Sequence, residues 1–230
     1  VWKWKNSFEM RGGTRKRAAR LEGGEIDYDY IADIALKYKI SIIPTFLTSK
    51  IPSREANTRR YAEVVYAFVS RYKNKMSIKY IEFQNEPNAD NDGSGGGRHW
   101  RGSAEELAKV NTAAYERIKS SYPDIMVGSA GFISGSKEIV EKYTTKFYKA
   151  YLGVKPKFDF FALHDYPKTY CYTQGTKAGD LASQFHVFET YRKLLDSNGY
   201  GDKPIFVTEG FEDKPFHDTS GLSRLWTDEE

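Results

Sequence analysis

Apolar runs and amphipathic stretches alternate along this chain at intervals of roughly forty residues, the pattern of parallel βα units. Ile31, Ile34, Ala35 and Tyr38 fall at helical spacing, and the apolar run 40–47 follows them. Tyr61, Val64, Val65, Phe68 and Val69 repeat that spacing before the run 78–85. Ser103 with Glu106 makes a capping box that opens a helix with Leu107, Val110, Ala114 and Ile118 on one side, and the run 125–131 comes next. A helix near 137–151 precedes the run 158–164, and one near 181–197 precedes the run 204–208. With an opening run at 1–5, six strands are expected.

Six strands in 230 residues suit two architectures. An eight-stranded (β/α) barrel takes about 250 residues, so the count matches a barrel lacking its first and last strands. A doubly wound open sheet usually carries a glycine-rich phosphate turn after its first strand. Here Arg11-Gly12-Gly13-Thr14 follows the first run without the G-x-G-x-x-G spacing. The expected fold class is therefore α/β, a truncated (β/α)8 TIM barrel holding strands 2 to 7, with residues 1–230 as a single partial barrel domain. The open sheet ranks second. Val1 lies inside a strand-like run and the last ten residues resemble the start of a helix, so both ends are expected to be cut and any signal peptide to lie upstream.

Composition closes off several classes. Hydrophobic residues make up 40%, with 17 Tyr and 14 Phe against 4 Trp, which is ample for a packed core and excludes a disordered chain. The net charge of +4 is a small difference between 35 basic and 31 acidic residues, a mixed surface more than a nucleic-acid footprint. Cys171 is the single cysteine, which excludes an intrachain disulfide and a cysteine-based metal cluster. No run of about 18 apolar residues could span a bilayer. Localisation and oligomeric state stay open.

Two of the runs deliver a carboxylate where the chain leaves the sheet: Ile81-Glu82-Phe83-Gln84-Asn85-Glu86-Pro87-Asn88 and Ile205-Phe206-Val207-Thr208-Glu209-Gly210. Strands arranged around a common axis bring such ends to one face. Hydrolysis of a glycosidic bond uses two convergent carboxylates, one to protonate the departing oxygen and one to attack or stabilise the anomeric carbon. In a regular strand Asn85 and Glu86 point to opposite faces, so both reach one cleft only if the backbone turns there.

Asn85-Glu86-Pro87, Glu209 and the segment Phe161-Ala162-Leu163-His164-Asp165-Tyr166-Pro167 resemble the retaining glycoside hydrolases of clan A. His217-Asp218-Thr219 is similar to family 39, the β-xylosidase and α-iduronidase family; family 5 is the second choice. Gly210-Phe211 stands where family 39 commonly has Trp-Asn, and Gln84 where a Trp is usual. The resemblance implies that Glu86 is the acid/base and Glu209 the nucleophile. It further implies that Asn85 bonds the sugar 2-hydroxyl and that His164 and Tyr166 position nucleophile and substrate, with Tyr166 donating to Glu209. The acid must hold its proton near neutral pH, so Glu86 is expected in a drier, more anionic place than Glu209. A carbohydrate substrate follows, with no cofactor and no nucleic-acid partner.

Other features carry less. Histidines 99, 164, 186 and 217 show no metal-binding spacing, so no metal is expected. Asn88 to Gly93 resembles the start of a calcium loop, but its twelfth position is His99 where a bidentate Glu is needed. Trp100 is placed either to stack on a sugar or to anchor its loop. Glu82 shares face parity with Glu86 and reads as a buried partner for Lys3 or Lys5. Trp2, Trp4 and Phe8 divide between core and sugar platform. Arg11, Arg15, Lys16, Arg17 and Arg20 form a solvated cluster or a site for an acidic sugar. A carbohydrate-binding pseudo-enzyme and a nucleic-acid-binding domain built on that cluster are the alternative functions.

Overall fold

Local capping signals set the helix ends in the computed structural model, which describes residues 26–48, 55–89, 99–133, 145–165 and 181–209. Helix α1 (Tyr28–Tyr38) opens on Asp27, whose carboxylate accepts the Tyr30 N–H at 2.9 Å. It closes on Lys39 in the left-handed region, φ 54°, and the Ile40 N–H bonds back to Ala35 O at 2.9 Å. The short strand β1 (Thr45–Phe46) and helix α2 (Glu55–Tyr72) follow. After β2 (Tyr80–Asn85), helix α3 (Ala104–Lys119) opens with the expected capping box. Ser103 Oγ accepts the Glu106 N–H, and Glu106 Oε2 accepts the Ser103 N–H. The series ends with β3 (Met126–Ile133), α4 (Thr145–Gly153), β4 (Phe161–His164), α5 (Leu181–Ser197) and β5 (Ile205–Glu209).

All neighbouring strands pair in parallel, in the order β1-β2-β3-β4-β5. Each crossover thus returns beside its predecessor. A doubly wound sheet would reverse its order at a switch point, so this sheet is the arc of a truncated (β/α) barrel. The run 1–5, expected as a further strand, lies outside the described residues.

Aromatic side chains fill both faces of the arc. Toward the helices, Phe83 meets Tyr61 of α2, and Phe132 packs on Tyr148 of α4 at 4.4 Å between ring centroids. Phe161 packs against Tyr191 of α5. On the opposite face Phe160 stacks on Phe206 at 4.6 Å, and Tyr80 meets both rings edge-on. A Cβ on Gly128 would strike the Phe160 ring, so glycine is required beneath it. Each fully buried ring contributes about 1.5–3 kcal/mol relative to exposure.

Two sequence expectations shift. In α1 the buried pair is Ala32 and Ala35, whereas Tyr38 is 60% exposed. Tyr38 is the last residue of the helix, next to the Lys39 cap. The run 40–47 yields only two residues of strand, because Pro44 has no N–H to donate and joins the ladder through its carbonyl alone, which accepts the Glu82 N–H at 3.0 Å. The inner face expected for α3 is observed in full. Among the described residues no helix is long and apolar enough to cross a membrane.

Candidate active site

The backbone leaves β2 by an irregular path. Gln84 and Glu86 both take left-handed conformations, φ 44° and 46°, and the register against β3 slips twice between Ile81 and Asn85. Non-glycine residues rarely adopt this region, so surrounding bonds must hold them there. Those bonds are present. The Glu86 N–H donates to Gly131 O at 2.7 Å, and the Ala89 N–H to Glu86 O at 3.0 Å. The Asn88 carboxamide clamps the backbone of Ile133, donating to its O at 2.9 Å and accepting its N–H at 3.0 Å. Gln84, buried in the same turn, accepts the Thr48 N–H at 3.0 Å and donates to His99 O at 2.8 Å. This is the backbone departure that Asn85 and Glu86 require if one cleft is to receive both.

Glu86, Glu209 and His164 come together from three strand ends. His164 closes β4 in register with Glu209 of β5, and the Asp165 N–H bonds Glu209 O at 2.9 Å. The imidazole side chain is 1% exposed. Its Nδ1 lies 3.3 Å from Glu86 Oε1 and 3.4 Å from Glu209 Oε2, and its Nε2 lies 3.1 Å from Glu82 Oε1. Burial by itself opposes charge on the ring. The hydrogen bonds to Glu82 and Glu86 and the fields of Glu82 and Glu209 outweigh it and push the His164 pKa up to about 9. That balance favours the imidazolium, the form that presents an N–H to both Glu82 and Glu86.

Glu82 is buried as expected, but its partner is His164; Lys3 and Lys5 lie outside the described residues. Gly131 makes room for this pair, since a Cβ there would overlap Glu82 Oε1 and His164 Nε2. The Glu86 side chain is 13% exposed against 49% for Glu209, the drier setting expected for an acid. Its charged surroundings differ from expectation, because imidazoles face it: His164, and His99 with Nδ1 3.6 Å from Glu86 Oε2.

Trp100 does not present a ring to a sugar. It is 1% exposed in the core, and its indole N–H donates to Ser103 O at 2.9 Å, so it anchors the start of α3. Asn85 is half-buried at the end of β2. Tyr166, the basic cluster between Arg11 and Arg20, Trp2, Trp4, Phe8 and most of the glycine-rich loop after Asn88 fall outside the described residues. Sequence reasoning missed His99, Gln84 and Asn88 as site-builders. A polar Gln inside an otherwise apolar strand was the one available signal.

One donor atom each from Glu86, His164 and Glu209 lie within 4.8 Å of one another, a spacing that also suits a metal ion. A metal there would need the lone pair of a neutral imidazole, so it would compete with the proton that the surrounding carboxylates favour on His164.

Residues 44–211 match the family model described as Cellulase (glycosyl hydrolase family 5). No curated protein matches the chain. Among solved structures, the fold is similar to a glucosidase from Croceicoccus marinus, with a TM-score of 0.52 and 15% identity over 80% of this chain and 37% of that one. It is similar to a family 39 β-xylosidase from Caulobacter crescentus, with a TM-score of 0.50 and 15% identity over 84% and 43%. A family 39 enzyme from Xanthomonas axonopodis pv. citri gives a TM-score of 0.50 and 13% identity over 85% and 42%. The chain thus spans about two-fifths of the length of these structures. At such identities they show the fold, while the family model supplies the family.

Proposed function

Because this chain belongs to the cellulase family, glycosyl hydrolase family 5, within clan A, we propose that it carries the catalytic centre of a retaining glycosidase, with Glu86 as acid/base and Glu209 as nucleophile. One observation carries the reading: oxygens of the two carboxylates lie within 4.8 Å of each other, across the buried His164. Retaining pairs stand about 5–5.5 Å apart, whereas an inverting pair needs about 6.5–9.5 Å to admit a water.

The chemistry follows from that spacing. Glu209 attacks the anomeric carbon while Glu86 gives its proton to the departing oxygen, which leaves as the alcohol. Glu209 loses its charge in forming the ester. Glu86, now a carboxylate, takes a proton from water as the water displaces Glu209, and the configuration is restored. His164 sits between the two, its Nδ1 3.3 Å from Glu86 Oε1 and 3.4 Å from Glu209 Oε2, where an N–H facing Glu86 supports the charge that Glu86 gains as it gives up its proton. Asn85, one residue before the acid/base, bonds the 2-hydroxyl in this reading, and Tyr166 keeps the positioning role that the resemblance gives it.

The substrate is a carbohydrate, and glucosides and xylosides are the first to test, after the names borne by the family and by the structures of similar fold. Glu209→Gln is expected to abolish turnover of aryl β-glucosides or β-xylosides. Glu86→Gln is expected to lower it on the order of a hundredfold or more with a poor leaving group. Full activity in either variant would remove that residue from the mechanism.

A further inference from the structure

His99 lies across the acid/base from His164 and is used by nothing derived so far. Its Nδ1 stands 3.6 Å from Glu86 Oε2, while His164 Nδ1 stands 3.3 Å from Oε1, so each oxygen of Glu86 faces one imidazole. His99 Nδ1 is buried and has no hydrogen-bond partner among the described residues. A buried polar nitrogen without a partner is costly, and native structures keep few of them without a use. The residue is also held from both sides. Gln84 donates to its carbonyl at 2.8 Å, and the next residue, Trp100, is locked in the core with its indole N–H on Ser103 O. Gln84 in turn is tethered to the end of β1 through the Thr48 N–H. Two elements thus converge to aim a single unpaired nitrogen at the acid/base.

We propose that His99 is a positioning residue for the acid/base, its Nδ1–H meeting the charge that grows on Glu86 Oε2 as Glu86 gives up its proton; this rests on the retaining reading above. The proton from Glu86 goes to the departing oxygen as that oxygen takes the electron pair of the breaking C–O bond. His99 keeps its own proton throughout. An N–H bonds a carboxylate more strongly than a neutral acid, so the contact tightens along the reaction coordinate and stabilises the transition state more than the bound substrate. The separation of 3.6 Å is longer than a made hydrogen bond, as catalytic contacts often are before substrate closes the site. Among the described residues, the other charged groups facing Glu86 are His164 and, through it, Glu82 and Glu209.

The dependence of rate on the leaving group tests this. A dinitrophenolate departs without a proton, whereas an unactivated phenol needs one, so a residue acting through the acid matters only for the second. In His99→Ala, kcat/KM for the phenyl glycoside should fall roughly ten- to hundredfold, the size of one hydrogen bond to an ionised group. For the dinitrophenyl glycoside it should stay unchanged. His99→Asn, whose side-chain amide offers a donor near the position of Nδ1, should recover most of the loss. An equal fall with both leaving groups, or no fall with either, would overturn the proposal. Trapping with a 2-deoxy-2-fluoro glycoside carrying a good leaving group separates it from the underlying reading. Wild type and His99→Ala should both form the adduct on Glu209 at similar rates. Failure of the wild type to react at all would overturn the retaining reading and the proposal with it.

Discussion

Glu82→Gln should uncouple the charge on His164 from the fold. The rise in the His164 pKa from 6.5 to about 9 corresponds to about 3 kcal/mol of preferential stabilisation of the imidazolium. Burial opposes that rise, and Glu82 supplies both a hydrogen bond and a field against it, so losing its charge should remove most of the rise, on the order of 2 kcal/mol. Gln keeps an acceptor for the Nε2–H and a similar volume, so the substitution removes charge more than shape. A folded-state pKa raised above the unfolded value stabilises fully below about pH 6.5 and loses that contribution as pH rises through 9. The variant should therefore be destabilised most at pH 6, and the difference should shrink toward zero by about pH 9.5, where the ring is neutral in both proteins. Urea denaturation at the two pH values measures the difference, and a titration of the His164 ring nitrogens by NMR locates the pKa, which should move down. An equal destabilisation at both pH values, with the His164 titration unmoved, would refute the coupling.

Gly131→Ala should displace the Glu82–His164 pair, because the new methyl overlaps both partners. Destabilisation of about 1–3 kcal/mol in thermal unfolding and a lowered His164 pKa are the expected outcomes. Asn88→Ala removes both bonds to Ile133 and should cost about 1–3 kcal/mol, with faster amide exchange at Ile133 as the local readout. Ser103→Ala breaks the capping box of α3 and should cost about 1 kcal/mol, visible as a lower thermal midpoint without a change in the His164 titration.

The architecture was legible because its signals are local. Helical spacing at Leu107, Val110, Ala114 and Ile118 marks a buried face, and Ser103 with Glu106 marks the helix start whatever the rest of the chain does. The phase of α1 was harder, since Tyr38 completes the helical spacing in sequence yet is exposed at the capped end of the helix. At the site, Glu86, Glu209 and His164 were named from strand ends and resemblance, and the structure brings them together. What escaped depends on long-range approach. Glu82 and His164 meet across 82 positions, and nothing near Glu82 announces an imidazole in place of a lysine. The left-handed backbone at Gln84 and Glu86 has no glycine to signal it, because tertiary hydrogen bonds hold it there. Trp100 reads equally well as platform or anchor until its burial decides.

In the proposed mechanism Glu209 attacks the sugar and Glu86 supplies the proton. Intact mass and peptide mapping after exposure to 2-deoxy-2-fluoro glucosyl and xylosyl donors with good leaving groups test it most directly. One covalent adduct is expected, mapped to Glu209 and absent in Glu209→Gln. A stable adduct on another residue, or turnover that inverts the anomeric configuration, would contradict it.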